Sequence, residues 1–232
     1  MLYFSNIIEA TYIVQTYTKL YTLNCNLDKL VNMKQLKTYQ PHSNVIIQYN
    51  QSYKKCDKDL HIQRPDFDLS DALFHVFKHA NEKKYKHILV FEEDFFFDKS
   101  KVTKKDIQNI NEFIQKRPYT DTYHLGPLLT VGIPYPFDIK HRKIYLQCLT
   151  HSIIYSKRYR NYYIKQYLQK KIIDGIDGSI FNNIYFYKYC YYKPICFQLL
   201  NDTENRKKGW IKFLFLKDII IYFIEYLVLH KN

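Results

Sequence analysis

Apolar residues run unbroken through Ile88-Leu89-Val90-Phe91 and stop at Glu92-Glu93-Asp94, after which Phe95-Phe96-Phe97 follow. A short apolar run bounded by charge predicts a strand buried on both faces of an α/β sheet. Tyr12-Ile13-Val14-Gln15 and Val45-Ile46-Ile47-Gln48-Tyr49 predict two earlier strands, each rich in β-branched or aromatic residues. Between them Leu27, Leu30, Val31 and Lys34 fall at helical spacing. A clearer stripe at Leu69, Ala72, Leu73, Val76, Phe77 and Ala80 predicts a helix that Asp68 can cap. Thr103 and Asp106 have capping-box spacing ahead of Ile107, Ile110 and Ile114, with Pro118 beyond the end. Ser156 similarly precedes a helix lined by Tyr159, Tyr163 and Tyr167, and Ile144 to Leu149 and Ser152 to Tyr155 read as strands. Strands alternating with helices predict an α/β domain with a mainly parallel central sheet flanked by helices.

Three adjacent carboxylates at the end of a buried strand repel one another, and each is costly to leave unpaired near a core. Ligands of α/β sheets gather where strands end, and Mg²⁺ or Mn²⁺ prefers carboxylate oxygen and takes further ligands from substrate phosphates. The cluster is therefore a candidate metal site; a solvated turn after a buried strand is the plainer alternative. Alternation along the strand would put Glu92 and Asp94 on one face and Glu93 on the other.

Composition narrows the picture without redirecting it. The 232 residues suffice for one sizeable core and contain no low-complexity linker, so a single domain over 1–232 is expected. A net charge of +13 suits anionic ligands, but six of the 35 basic residues are Arg and the lysines are spread from Lys19 to Lys231. Unfocused, Lys-dominated charge argues against nucleic acid as the partner. Cysteines at 25, 56, 148, 190 and 196 are odd in number and form no CxxC pair, which fits a reducing compartment, the cytoplasm. The N-terminus lacks a basic n-region, so no signal peptide is expected. From Ile211 to Leu229 thirteen of nineteen residues are aliphatic or Phe, yet Lys212, Lys217, Asp218 and Glu225 interrupt them. Each central charge costs roughly 2.5 to 3.5 kcal/mol on insertion scales, against about 0.3 to 0.6 returned per Leu, Ile or Phe. A C-terminal apolar helix over 211–232 that packs on the core, with peripheral membrane contact as its alternative, is expected rather than a transmembrane span.

Several segments in order resemble one family. Phe91-Glu92-Glu93-Asp94-Phe95 resembles an acidic Glu-Asp-Asp signature after a strand, with Glu93 replacing an Asp; Asn50 to Lys58 resembles an Asn-x-Gly-x-x-Lys-Cys-x-Lys segment, with Ser52 replacing the Gly. Tyr123-His124-Leu125-Gly126 and His151-Ser152-Ile153-Ile154-Tyr155-Ser156 are similar to Leu-Gly and His-Ala-x-x-Tyr-Ser segments, and Gln198, Asp202-Thr203-Glu204-Asn205 and Trp210 to a terminal Gln…Glu-Thr-Glu-Asn…Trp segment. Together they resemble the glycosyltransferases related to lipopolysaccharide-type galactosyl and glucosyl transferases (family 25-like), in particular the short versions encoded by large DNA viruses. The resemblance implies a GT-A-like single domain with a nucleotide-sugar half over about 1–100 and an acceptor half over about 101–210. It implies Mn²⁺- or Mg²⁺-dependent transfer of a sugar, usually from a UDP-sugar, to a hydroxyl of a glycan, protein or lipid acceptor. For a viral chain the compartment would be the host cytoplasm.

The resemblance also assigns candidate roles. Glu92, Asp94 and, less firmly because of its added methylene, Glu93 would meet the metal and diphosphate. Gln15, Thr16, Asn50, Lys55 and Lys58 would hold the nucleotide-sugar, although a solvated loop accounts equally for the lysines. Asp177 and Asp174 sit in a Gly-punctuated turn and could serve as general base toward the acceptor, or Asp177 could cap a helix. His151 would lie beside the acceptor cleft or be a satisfied structural residue. The Tyr residues at 159, 162, 163 and 167 read as packing, and Cys56 as a small buried hydrophobe. A catalytically weak or inactive GT-A-like binding protein is the alternative, motivated by Glu93 and Ser52.

Overall fold

The computed structural model describes residues 7–17, 44–51, 53, 58–92, 95–97, 102–148, 151–172, 175–176 and 185–198, all within one compact unit, Met1–Gln198. Among the described residues ten strands are present: β1 (Ile8–Tyr17), β2 (Asn44–Gln51), β3 (His87–Glu92), β4 (Phe95–Phe96), β5 (Thr122–His124), β6 (Leu128–Tyr135), β7 (Asp138–Cys148), β8 (Ser152–Ser156), β9 (Lys188–Tyr191) and β10 (Phe197–Gln198). Helix α1 (Pro65–Glu82) precedes β3, α2 (Lys104–Lys116) follows β4, and α3 (Lys157–Leu168) follows β8.

Eight strands form one sheet in the order β2-β1-β3-β8-β5-β9-β7-β6, and β4 pairs with β10 in a separate two-stranded ribbon. This is the expected α/β architecture, a single central sheet flanked by helices. The sheet is mixed: β1 is parallel to β2 and β3, and β5 to β9, whereas β8 is antiparallel to β3 and β5, and β7 to β6 and β9. Only β7 and β8 run against the other six, so most strand ends still converge on one edge.

Alternation along β3 explains its uninterrupted apolar sequence. Ile88 and Val90 enter the cluster beneath α1 and α3, while Leu89 and Phe91 enter the cluster beneath α2. Both faces are dry, so no polar residue is tolerated until Glu92. On the first face Tyr155, Tyr159, Tyr163 and Tyr167 stack in succession at 5.5, 6.3 and 6.4 Å, with the Phe77 ring edge-on to three of them. The tyrosine stripe of α3 is thus packing, as its helical period predicts.

The capping box at Thr103 and Asp106 is formed, and the Ser156 hydroxyl accepts from the Tyr159 N–H at 3.2 Å. Asp68, in contrast, does not cap α1. Pro65 at the first helical position starts the helix four residues earlier, behind Arg64, and leaves Asp68 inside the first turn. The stretch around Leu27 to Leu36 and the 211–232 segment lie outside the described residues, and among those described no helix is long and apolar enough to cross a membrane.

Candidate functional site

The parallel strands β1 and β2 finish together, and β3 ends three residues short of them. Val14 is level with Gln48 on one side and Glu92 on the other, and Gln15 and Thr16 are level with Tyr49 and Asn50. Since β8 runs the opposite way, its start lies at this same edge: the Glu92 N–H donates to the His151 carbonyl at 2.9 Å, and Ser152 is level with Phe91. Strand β5 ends here too, with His124 level with Ile153 and Cys190. The topology therefore gathers Gln15, Thr16, Asn50, Glu92, His124 and His151 along one sheet edge. Glu93, Asp94, Lys55, Asp174 and Asp177 lie outside the described residues.

Asn50 and Lys58 meet at the end of β2, in a network with α1. The Lys58 ammonium donates to Asn50 Oδ1 at 2.7 Å and Asp68 Oδ1 at 2.9 Å, and pairs with Asp71 Oδ2 at 2.7 Å. Asp68 also accepts from Asn50 Nδ2 at 3.1 Å and from the Tyr53 N–H at 3.2 Å, and Tyr167 donates to Asp71 Oδ1 at 2.5 Å. Two carboxylates face one ammonium, so the charge expected at a phosphate is already neutralised within the protein. In this position Lys58 ties the segment after β2 to α1. Asp68 and Asp71 are the partners of Lys58 that sequence reasoning missed; their three-residue spacing on one helix face was the available signal.

His151 is buried, 1% exposed, at the corner where residues 124–126, 151–152 and 195–196 converge. Its Nε2 lies 3.3 Å from the Cys196 carbonyl, so this nitrogen carries the proton and donates, while Nδ1 has no partner among the described residues. Burial pulls the imidazole down to about 4, against a smaller opposing effect of that carbonyl. His124, whose Nε2 is 2.9 Å from the Thr122 hydroxyl, is held well below the usual histidine range by burial, Lys188 and His151. Both rings are neutral at pH 7. His151 is accordingly suited to accept a hydrogen bond through Nδ1 and poorly matched to general base work, which favours a pKa near the operating pH.

Gly126 makes this corner: a Cβ there would lie 1.9 Å from the Cys196 carbonyl oxygen and 2.4 Å from His151 Nε2. Gly175, at φ +65°, packs where a Cβ would come 2.8 Å from Asp66 Oδ2, and the adjacent Ile176 is buried in the core under α1. Gly175 and Ile176 are thereby anchored at the first turn of α1.

Glu92, half-buried at the rim, is the described member of the acidic run. Among the described residues no group of three His, Cys, Asp or Glu side chains is arranged to hold a metal. The donor chemistry of the run itself, three carboxylates and no thiolate, suits a hard divalent cation.

No protein-family model matches this chain, and no curated protein does. Among solved structures, a glycosyltransferase involved in the glycosylation of the major capsid of PBCV-1 is similar over 76% of this chain and 72% of that one, with TM-score 0.40 and 11% identity. A197 from STIV is similar over 78% and 81% of the two chains (TM-score 0.36, 11% identity), and HddC from Yersinia pseudotuberculosis over 80% and 71% (TM-score 0.41, 12% identity).

Proposed function

We propose that this chain transfers a sugar from a nucleotide-sugar, first among them a UDP-sugar, to an acceptor hydroxyl with the help of Mn²⁺ or Mg²⁺. The observation that carries the reading is the position of Glu92. It ends a strand buried on both faces, level with Val14 of β1 and Gln48 of β2, three residues before those strands end, and bonded through its N–H to the His151 carbonyl. The acidic run thus opens at the edge where an α/β sheet binds its ligands. Glu92 and Asp94 would hold the cation, which when bound would neutralise charge on the departing diphosphate.

The chain's own residues supply the remainder. Asn50, fixed by Lys58 and Asp68, and the β1 positions Gln15 and Thr16 would border the nucleotide. Lys55 would meet its phosphates, His151 Nδ1 would accept a hydrogen bond from a sugar hydroxyl, and Asp177 or Asp174 would take the acceptor proton. A second reading, a weakly active or inactive sugar- or nucleotide-binding protein, is favoured by the neutralisation of Lys58 by Asp68 and Asp71.

Thermal denaturation with UDP plus Mn²⁺, with UDP alone and with an oligonucleotide tests the site, because a ligand of the native state raises stability by mass action. Stabilisation that needs both UDP and Mn²⁺ is expected. A mass-spectrometric screen of nucleotide-sugar hydrolysis then separates the two readings: turnover supports transfer, and metal-dependent binding without turnover supports the second.

A further inference from the structure

The β6–β7 hairpin presents an apolar tip that nothing among the described residues covers. Its two-residue connection is Pro136-Phe137, between the paired Tyr135 and Asp138. Phe137 is 86% exposed, Ile139 78% and Ile133 52%. The base is anchored: Tyr135 packs edge-on to Phe113 at 5.7 Å, the Arg117 guanidinium lies 4.3 Å from the Tyr135 ring centre, and His141 stacks on Phe113 at 3.9 Å. A rigid hairpin therefore holds two large apolar side chains out in water, an arrangement that marks a contact surface.

The charges around the tip identify its partner. Lys140, Arg142 and Lys143 follow Ile139 within four positions, Lys140 being exposed and the other two half-buried. The Lys140 carbonyl accepts from the Tyr192 N–H at 2.8 Å, which sets a half-exposed tyrosine beside them. The nearest acid, Asp138, is engaged within the hairpin: its Oδ1 accepts from the Lys140 N–H at 3.3 Å and its Oδ2 is 3.6 Å from His141 Nε2. An apolar tip behind a basic collar, with aromatic rings at the boundary, matches an anionic bilayer, where the tip enters the acyl boundary and the cations meet headgroups. A second copy adding to the β6 edge fits less well, because Pro134 removes a donor from that edge strand and three register shifts distort it.

We propose that the β6–β7 hairpin docks this protein on anionic lipid membranes through Phe137 and Ile139, with Lys140 and Lys143 holding the headgroups. The surface is separate from the sugar-transfer reading and does not depend on it. Co-sedimentation of the full chain with vesicles of phosphatidylcholine alone, or of equal parts phosphatidylcholine and phosphatidylserine, tests it without any nucleotide. Binding to the phosphatidylserine vesicles is expected, weakened by salt, with little to phosphatidylcholine alone. The double variant Phe137→Ser, Ile139→Ser should bind about tenfold more weakly or worse with an unchanged melting temperature, and Lys140→Glu, Lys143→Glu should do the same. Undiminished binding in both variants, equal binding to the two vesicle types, or no binding by the wild type overturns the proposal, as does a hairpin that crosslinks to a protein partner while ignoring vesicles.

Discussion

Lys58 and Asp71 form an ion pair at 2.7 Å with both side chains about 15% exposed, across the junction between the end of β2 and helix α1. The pair is shielded enough for its loss to register, and Asp68 and Asn50 share the same ammonium. Removing one partner of a buried pair leaves the other uncompensated, at roughly 3 to 5 kcal/mol. Lys58→Met should therefore cost about 3 kcal/mol, the low end because some solvent remains. Urea denaturation measures it, and a midpoint equal to wild type would return Lys58 to the role of a free phosphate ligand.

Asp94→Asn should abolish Mn²⁺-dependent turnover of UDP-sugars while leaving the melting temperature within a degree or two, since it removes a charged candidate ligand that follows the apolar run of β3 in sequence rather than belonging to it. Glu93→Ala should lose less. Equal losses at 92, 93 and 94 would show that all three acids face the ligand, against the alternation expected along an extended strand.

Asp177→Asn distinguishes a general base from a helix cap. A base contributes typically 10²- to 10⁴-fold, so kcat should fall by about that factor with KM little changed. Asn caps about as well as Asp, and unchanged kinetics would assign Asp177 to the helix terminus.

Stability should fall as pH is lowered from about 6.5 to 4. Burial holds His151 down to about 4 from an ordinary value of 6.5, so the unfolded chain takes up the proton first and gains stability relative to the fold through that window. The contribution is complete above pH 6.5, lost progressively toward 4, and on the order of 3 kcal/mol. His141, brought down to about 4 chiefly by burial, acts in the same direction. His151→Gln should flatten part of the acid limb in denaturation curves measured between pH 4 and 7; a slope identical to wild type would mean that His151 is not buried neutral.

Gly126→Ala should be severely destabilising, because the added methyl meets the backbone carbonyl of Cys196 rather than a side chain that can turn away. Overpacking ordinarily costs about 1 to 3 kcal/mol, and a backbone collision should reach at least the top of that range. Wild-type yield and melting temperature would show that the 195–196 segment can retreat.

Period and punctuation alone determined much of this protein. The buried strand ending at Glu92, the strands around Val14 and Ile47, the capping box at Thr103 and the packing tyrosines of α3 are local or face-wise patterns, and local hydrogen bonding and alternation impose them wherever the chain goes. Strand β5, only three residues long, carried no such signal, because it pairs with β8 and β9 far away in sequence; of the β6–β7 hairpin only the second half of β7, within Ile144 to Leu149, was legible. Tertiary structure alone decided that β8 enters the sheet reversed, which sets His151 beside Glu92 and buries it neutral. It also decided that Lys58 faces Asp68 and Asp71. Which carboxylate meets which cation depends on the approach of β2 to α1, and a charge in a sequence does not record the dielectric or the partner that folding will give it.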